Sequence, residues 1–132
     1  MNAYRSKELI VKMQDKPGLA AKIFAAVAAT KVNVKATAGY TMGSDALLML
    51  VTDGNAKAKR VLLKAGFSCD DRDVVVVETR NKPGEMSVIC QALADKKITI
   101  DFHYATTTGV RSATIVLLTS DNAKTRRLLA NL

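Results

Sequence analysis

Two four-residue turns carry the groups best suited to bind a small polar ligand. DKPG begins at Asp15 and NKPG begins at Asn81, and their prolines, Pro17 and Pro83, are the only two in the chain. A Pro-Gly pair after a strand is typical of a helix start, where unpaired backbone N–H groups at the positive end of the helix favour a carboxylate. The Asp15 carboxylate could cap that helix or bind an ammonium group. Together these groups match the two ends of an amino acid.

Proline and glycine have separate roles in this interpretation. Pro17 is predicted to occupy the first helical position, where its missing N–H costs no hydrogen bond. Gly18 has no Cβ, so its backbone could lie against a ligand or a neighbouring strand. Asn33, after the predicted helix, can both donate and accept hydrogen bonds. For either turn taken alone, an ordinary helix start is the alternative interpretation.

The two turns belong to an internal repeat. Asn81 lies 66 positions after Asp15, and at the same offset KVNV (31–34) aligns with KITI (97–100). With one inserted residue, NAKAKRVLL from Asn55 aligns with NAKTRRLLA from Asn122. The chain is therefore predicted to form two copies of one unit, a first domain of residues 1–72 and a second domain of residues 73–132.

Both copies contain the same predicted order of elements. The segments ELIVKMQ (8–14) and DVVVVET (73–79) predict strands that end at the turns. The run of valines 74–77 predicts a strand that is covered on both faces or placed centrally in its sheet. A helix, two strands and a short basic helix follow in each copy. FSCDD (67–71) predicts a closing strand in the first copy, and no equivalent is evident in the second. This order predicts an α+β fold of two ferredoxin-like βαββαβ units, each an antiparallel sheet with its helices on one face.

A D-x-P-G junction followed by a helix and a strand such as VNV or ITI resembles the ACT domain. The resemblance covers the whole chain and implies a stand-alone regulatory protein of two ACT domains. Such domains bind small molecules, most often amino acids, where paired domains meet. Family ligands contact the loop between the first strand and first helix of one domain and the start of the second strand of another. By resemblance, the ligand-binding residues are Asp15, Lys16, Pro17, Gly18, Leu19, Asn33 and Val34 in the first copy, and Asn81, Lys82, Pro83, Gly84, Glu85, Thr99 and Ile100 in the second.

The two copies differ at their polar positions. Asp15 and Asn33 of the first copy are replaced by Asn81 and Thr99 in the second. The first turn is therefore predicted to be the better ligand site, and the second turn could serve the fold alone.

The charge of the chain leaves an anionic partner open. Twenty Lys and Arg residues against twelve Asp and Glu give a formal net charge of +8. The basic residues are dense on the two short helices, and solvated helix faces are the favoured interpretation. Nucleic-acid binding is the least favoured function, because the third strands, ALLMLVT and SATIVLLT, contain no aromatic residue on which bases could stack.

No enzyme chemistry is predicted. His103 is the only histidine, too few ligands accompany it for zinc, and no nucleophile motif or phosphate loop is present. We therefore expect no catalytic residue, no metal and no cofactor. Cys90 falls on an apolar helical stripe and is predicted to be buried, whereas Cys69 is predicted to be exposed. Two isolated cysteines and the lack of a long apolar run predict a reduced, cytoplasmic setting without a membrane segment.

The leading hypothesis is a non-catalytic regulatory protein that binds an amino acid at an interface between ACT domains. Ligand binding would favour one arrangement of the domains and change what a partner enzyme or transporter contacts. Open sheet edges and helix faces in such small units predict a homodimer. A module that holds a partner without any small ligand is the alternative hypothesis.

Overall fold

The computed structural model describes residues 1–107 and 109–132, and it confirms the predicted α+β class. These residues form strands and helices in the order β1 (Asn2–Gln14), α1 (Leu19–Ala29), β2 (Val34–Met42), β3 (Asp45–Thr52), α2 (Asn55–Lys64), β4 (Ser68–Arg80), α3 (Glu85–Asp95), β5 (Ile100–Thr107), β6 (Ser112–Thr119) and α4 (Asn122–Ala130).

The chain divides into two compact units. Residues Lys7–Arg72 form what we call the first unit, and Met1–Ser6 together with Asp73–Leu132 form the second unit. This division differs from the predicted ranges of 1–72 and 73–132 by the first six residues, which group with the second copy.

The first unit is a sheet with two helices on one face. Its strand order is β2, β3, β1 and β4, and β1 is antiparallel to β3 with Leu9 opposite Leu50. Helices α1 and α2 pack against each other and cover that face. Ile23 of α1 and Leu62 of α2 are fully buried against Leu9 and Leu50, which places one apolar core between helices and sheet.

The second unit repeats this arrangement, and the start of β1 serves as its outer strand. Its strand order is β5, β6, β4 and β1, with α3 packed against α4. Ala3 is buried in the core with Ile89 and Leu93 of α3. Glu78 accepts hydrogen bonds from the Asn2 amide and the Tyr4 hydroxyl, each at 3.3 Å. The closing strand that is not evident in the sequence of the second copy is thus supplied by residues 2–6.

Two expectations about strand boundaries were wrong. β1 begins at Asn2 rather than at residue 8, and FSCDD is not a separate closing strand but the start of β4, a continuous strand of 13 residues. No glycine or proline interrupts Ser68–Arg80, so the segment lacks the residues that most strongly break a strand. The valines at 74–77 are at most 1% exposed, which confirms that this stretch is covered on both faces.

The environments of the two cysteines are the reverse of those predicted. Cys69 is buried in the core of the first unit, whereas Cys90 is exposed on α3. The buried stripe of α3 runs through Ile89 and Leu93, and Cys90 lies about 100° around the helix from Ile89. Burial is also the largest influence on Cys69, and it raises the pKa of this thiol against the opposing charge of Lys59.

Native-state alkylation should therefore modify Cys90 and spare Cys69. Burial removes access to Cys69 and lowers its thiolate fraction, so we expect iodoacetamide to modify it at least about tenfold more slowly than Cys90. Mass spectrometry of digested samples measures both rates, and Cys90→Ser should abolish the fast reaction. Equal rates for the two thiols in the folded protein would contradict this assignment.

Candidate functional site

The first turn begins its helix differently from the sequence prediction. α1 starts at Leu19, so Pro17 precedes the helix rather than occupying its first position. Gly18 is the N-cap residue, with a left-handed φ of 87°, and no side chain caps this helix. The expectation that Asp15 caps the helix was therefore wrong. The Asp15 N–H instead donates to the Ser44 carbonyl at 2.9 Å, which holds the turn against the β2–β3 hairpin.

The second turn repeats this geometry. Gly84 caps α3 with a φ of 92°, and the Asn81 N–H donates to the Arg111 carbonyl at 3.1 Å, beside the β5–β6 connection. A Cβ added at Gly18 or Gly84 would meet no heavy atom within 4 Å. Glycine is thus required at both positions because the backbone is left-handed, a conformation that costs other residues about 1–2 kcal/mol, and not because a neighbouring atom lies close.

In each unit, the predicted ligand-binding residues of the turn lie far from those at the start of the second strand. The first turn lies beside Ser44, before β3, whereas Asn33 lies beside Asp53, just after β3. The eight residues of β3 span roughly 25 Å, so these groups occupy opposite ends of the first unit. The second unit matches it, with Asn81 beside Arg111 and Thr99 beside Ser120 across the length of β6. A site that uses both groups needs a second unit to supply one of them.

Asn33 and Thr99, the residues just before β2 and β5, are held by equivalent contacts. The Asn33 N–H donates to Asp53 Oδ1 at 2.9 Å, and the Thr99 N–H donates to Ser120 Oγ at 3.1 Å. Asn33 and Thr99 are exposed, whereas the neighbouring Val34 and Ile100 pack against the cores of their units. Asn33 and Thr99 are therefore the accessible members of these pairs.

A polar network distinguishes the second turn. The Thr79 hydroxyl donates a hydrogen bond to Glu85 Oε2, and Lys82 Nζ lies 3.4 Å from Glu85 Oε1. The hydrogen bond from Thr79 is the largest influence on Glu85 and lowers the pKa of its carboxyl, against partial desolvation and with help from Lys82 and Arg80. Glu85 is thus held as a carboxylate at the start of α3, where the helix dipole also favours negative charge.

Thr79→Val should raise the pKa of Glu85 towards its ordinary value. The native hydrogen bond favours the charged form, so the stability it adds is present above the ordinary carboxyl pKa and is lost as pH falls through the lowered native value. NMR titration of the Glu85 carboxyl carbon in the two proteins measures the shift. Thr106→Val, on strand β5 of the same unit, serves as a control for loss of a hydroxyl. An unchanged Glu85 titration in Thr79→Val would contradict the assigned cause.

Two cavities lie at the second turn. One, of about 240 Å³, lies between the turn, the start of α3 and the sheet, and its wall includes Thr79, Asn81, Gly84, Ala105 and Ile115. The other, of about 620 Å³, is larger and more open, and it is lined by Met1, Glu78, Thr79, Arg80, Lys82, Glu85, Val88, Arg111, Ser112 and Leu132. Both cavities include Lys82 and Glu85, so the predicted turn residues lie on the wall of a space large enough for a small ligand.

The larger cavity carries charges of both signs. Arg80, Lys82 and Arg111 supply three cations, and Glu78 and Glu85 supply two carboxylates. Such a surface can hold a carboxylate and an ammonium group at the same time. Met1, Val88 and Leu132 add apolar surface beside these charges.

The sequence analysis missed the charged residues that flank the turn. Arg80 is opposite Ser112 in the β4–β6 register, which places it beside Arg111 across the strands. The repeat alignment held a signal for this, because the corresponding first-copy residues are Gln14 and Ser44. A comparison of charge between the copies would have pointed to the second turn, although it could not have shown that the two arginines line one cavity.

His103 is exposed on β5, and within residues 1–107 and 109–132 no three His, Cys, Asp or Glu side chains are grouped to hold a metal ion. In those same ranges, none of the helices combines the length and apolar character needed to cross a membrane.

Comparisons with known proteins agree with this architecture. No family model and no curated protein matches the sequence. Among solved structures, a protein from Bacteroides thetaiotaomicron is similar with a TM-score of 0.90 at 21% identity, over 99% of this chain and 90% of that chain. The ligand-free regulatory subunit of aspartate kinase from Thermus thermophilus is similar with a TM-score of 0.69 at 18% identity, over 99% and 96%. The corresponding subunit from Thermus flavus has a TM-score of 0.62 at 17% identity, over 99% and 96%.

These similarities bear on the fold. They confirm the fold that the ACT resemblance implied, two ferredoxin-like units in tandem. At identities near 20% they carry no residue roles, so the function has to be argued from the site itself.

Proposed function

We propose that this chain is a non-catalytic regulatory protein that binds an amino acid at its second turn. The observation that carries the proposal is the cavity beside Lys82–Glu85, which offers Arg80 and Arg111 to a carboxylate and Glu78 and Glu85 to an ammonium group. The regulatory subunits of aspartate kinase that share the fold support a regulatory role. The two free cysteines support a reducing, cytoplasmic setting.

The second half of the site would come from another copy of the chain. In each unit, the turn lies at the opposite end from the residue just before the second strand, which is Asn33 in the first unit and Thr99 in the second. Asn33 or Thr99 of a second copy could therefore approach the turn in a symmetric dimer. Binding across that interface would favour one dimer arrangement over others. A partner enzyme or transporter would then respond to the arrangement and not to the ligand directly.

A thermal-shift screen of the twenty amino acids tests the proposal. A ligand present at 100 times its dissociation constant should stabilise the protein by about 2.7 kcal/mol. Glu85→Gln, which removes the carboxylate at the start of α3, should reduce that stabilisation. Its matched control is Leu19→Gln, the same product at the equivalent position of the first copy. A light-scattering mass of two chains should accompany the ligand-bound state.

The screen also separates this proposal from the alternative hypothesis of a ligand-independent interaction module. No stabilisation by any amino acid at millimolar concentration, together with an unchanged melting temperature profile for Glu85→Gln, would overturn ligand binding. Stabilisation that is lost in Leu19→Gln and kept in Glu85→Gln would place the site at the first turn and contradict the assignment made above.

A further inference from the structure

The charges that line the larger cavity are unequally satisfied within the second unit. Glu78 already accepts hydrogen bonds from Asn2 and Tyr4, and Glu85 is bound by Thr79 and Lys82. Arg80 and Arg111, by contrast, form no ion pair within 4 Å in the described part of the chain, although the charge of Arg80 acts on Glu85 from further away. The charged side chains of the lining that still lack a close partner are therefore the two guanidinium groups.

Two guanidinium groups favour a ligand with two anionic groups. A guanidinium presents a planar set of donors that matches a carboxylate and can bind it through two parallel hydrogen bonds. The side chains of the cavity lining include three cations and two carboxylates, which leaves one net positive charge. An amino acid with a neutral side chain adds no net charge, whereas one with a second carboxylate adds one negative charge and balances the site.

We propose that the second-turn cavity is selective for an α-amino acid whose side chain carries a second carboxylate. This inference rests on the proposed function. One of the arginines would bind the α-carboxylate and the other the side-chain carboxylate, while Glu78 and Glu85 accept from the ammonium group. Val88 and the terminal residues Met1 and Leu132 supply apolar surface for the methylene groups between the two carboxylates.

The first copy of the repeat supports the placement of this selectivity. Gln14 and Ser44 stand at the positions of Arg80 and Arg111, so the first turn lacks both guanidinium groups. Lys16 corresponds to Lys82 and is the one cation that the two turns share. Selectivity for a dicarboxylic amino acid is therefore expected at the second turn alone.

Isothermal titration of the full chain with glutamate, aspartate, glutamine and asparagine tests this inference. Each amide has nearly the shape of its acid but lacks the second charge. We expect at least one acid to bind about tenfold or more tightly than its amide, because a charge-assisted hydrogen bond is lost with the amide. Arg80→Gln and Arg111→Gln should each weaken binding of the acid about tenfold or more. Loss of the arginine that binds the side-chain carboxylate should leave binding of the amide nearly unchanged, whereas loss of the one that binds the α-carboxylate should weaken binding of both ligands.

Controls keep the possible results distinct. Arg80 and Arg111 are both exposed, so their variants should keep the melting temperature of the parent protein. Lys16→Gln, in the first turn, should bind the ligand as the parent protein does. Equal affinities for acid and amide, with no effect of either arginine variant, would overturn the selectivity and leave amino-acid binding intact. Failure of all four ligands, together with binding of another amino acid in the screen, would overturn it as well. Failure of every amino acid would instead overturn the proposed function on which it rests.

Discussion

Deletion of residues 1–6 should destabilise the second unit by about 3 kcal/mol or more while the first unit keeps its core. The deletion removes Ala3 from the second core, both hydrogen bonds to Glu78 and the strand that covers the outer edge of β4. Native-state hydrogen exchange measures the effect separately for each unit. Amides of β4 and β6 between residues 75 and 80 and between 112 and 117 should lose protection, and those of β3 should not.

Two single substitutions provide matched controls for this prediction. Ala3 of the second unit and Cys69 of the first unit are both buried in the core from the outermost strand segment of their unit. Ala3→Glu should place an unpaired carboxylate in the second core, and Cys69→Glu should do the same in the first. Loss of protection in the first unit after deletion of residues 1–6, with the second unit unaffected, would contradict the assignment of this strand.

Truncation of the central core residue of either unit should cost about 2–5 kcal/mol. Ile23 and Ile89 occupy equivalent positions of α1 and α3 and are both fully buried. Ile23→Ala should loosen the first unit and Ile89→Ala the second, since each residue packs within one core only. Ile89→Ala should also weaken amino-acid binding, because α3 positions Glu85 and Val88 at the cavity.

Hydrogen exchange measured during chemical denaturation distinguishes the effects of the two isoleucine variants. The expected pattern is a fall in protection confined to the mutated unit. Val88→Ala serves as a control for truncation of an exposed side chain on the same helix, and it should cost little stability. Equal loss of protection in both units from either core variant would show that the cores are not independent.

The repeat made most of the fold predictable. Two copies of a strand, a Pro-Gly turn, an apolar helix and two further strands indicated ferredoxin-like units, because each apolar pattern had one period and clear turn residues at its ends. The start of β1 gave no such signal. Residues 2–6 contribute only Ala3 as a buried aliphatic side chain, so this segment is a strand because of pairing with β4 rather than because of its own pattern.

The candidate site was only partly predictable. The turns could be located because DKPG and NKPG are local patterns, but the helices begin two residues after the prolines, because left-handed glycines act as the caps. The cavity is a non-local feature. Arg80 and Arg111 come together only through the register of β4 and β6, and the order of residues along the chain does not specify that register. The residues of the two turns alone therefore favoured the first turn, which contains Asp15. The structure places two further charged side chains, Arg80 and Arg111, beside the second turn.

Two-dimensional ¹H–¹⁵N NMR titration with glutamate, and with glutamine as the neutral counterpart, tests the central claim most directly. We predict saturable shifts of the amides at residues 82 and 84–85 and at Arg111, with the equivalent amides at 16 and 18–19 unchanged. Glu85→Gln should reduce the shifts and Leu19→Gln should not. Saturable shifts confined to the first turn, or none at either turn for any amino acid, would contradict the claim that the second turn binds an amino acid.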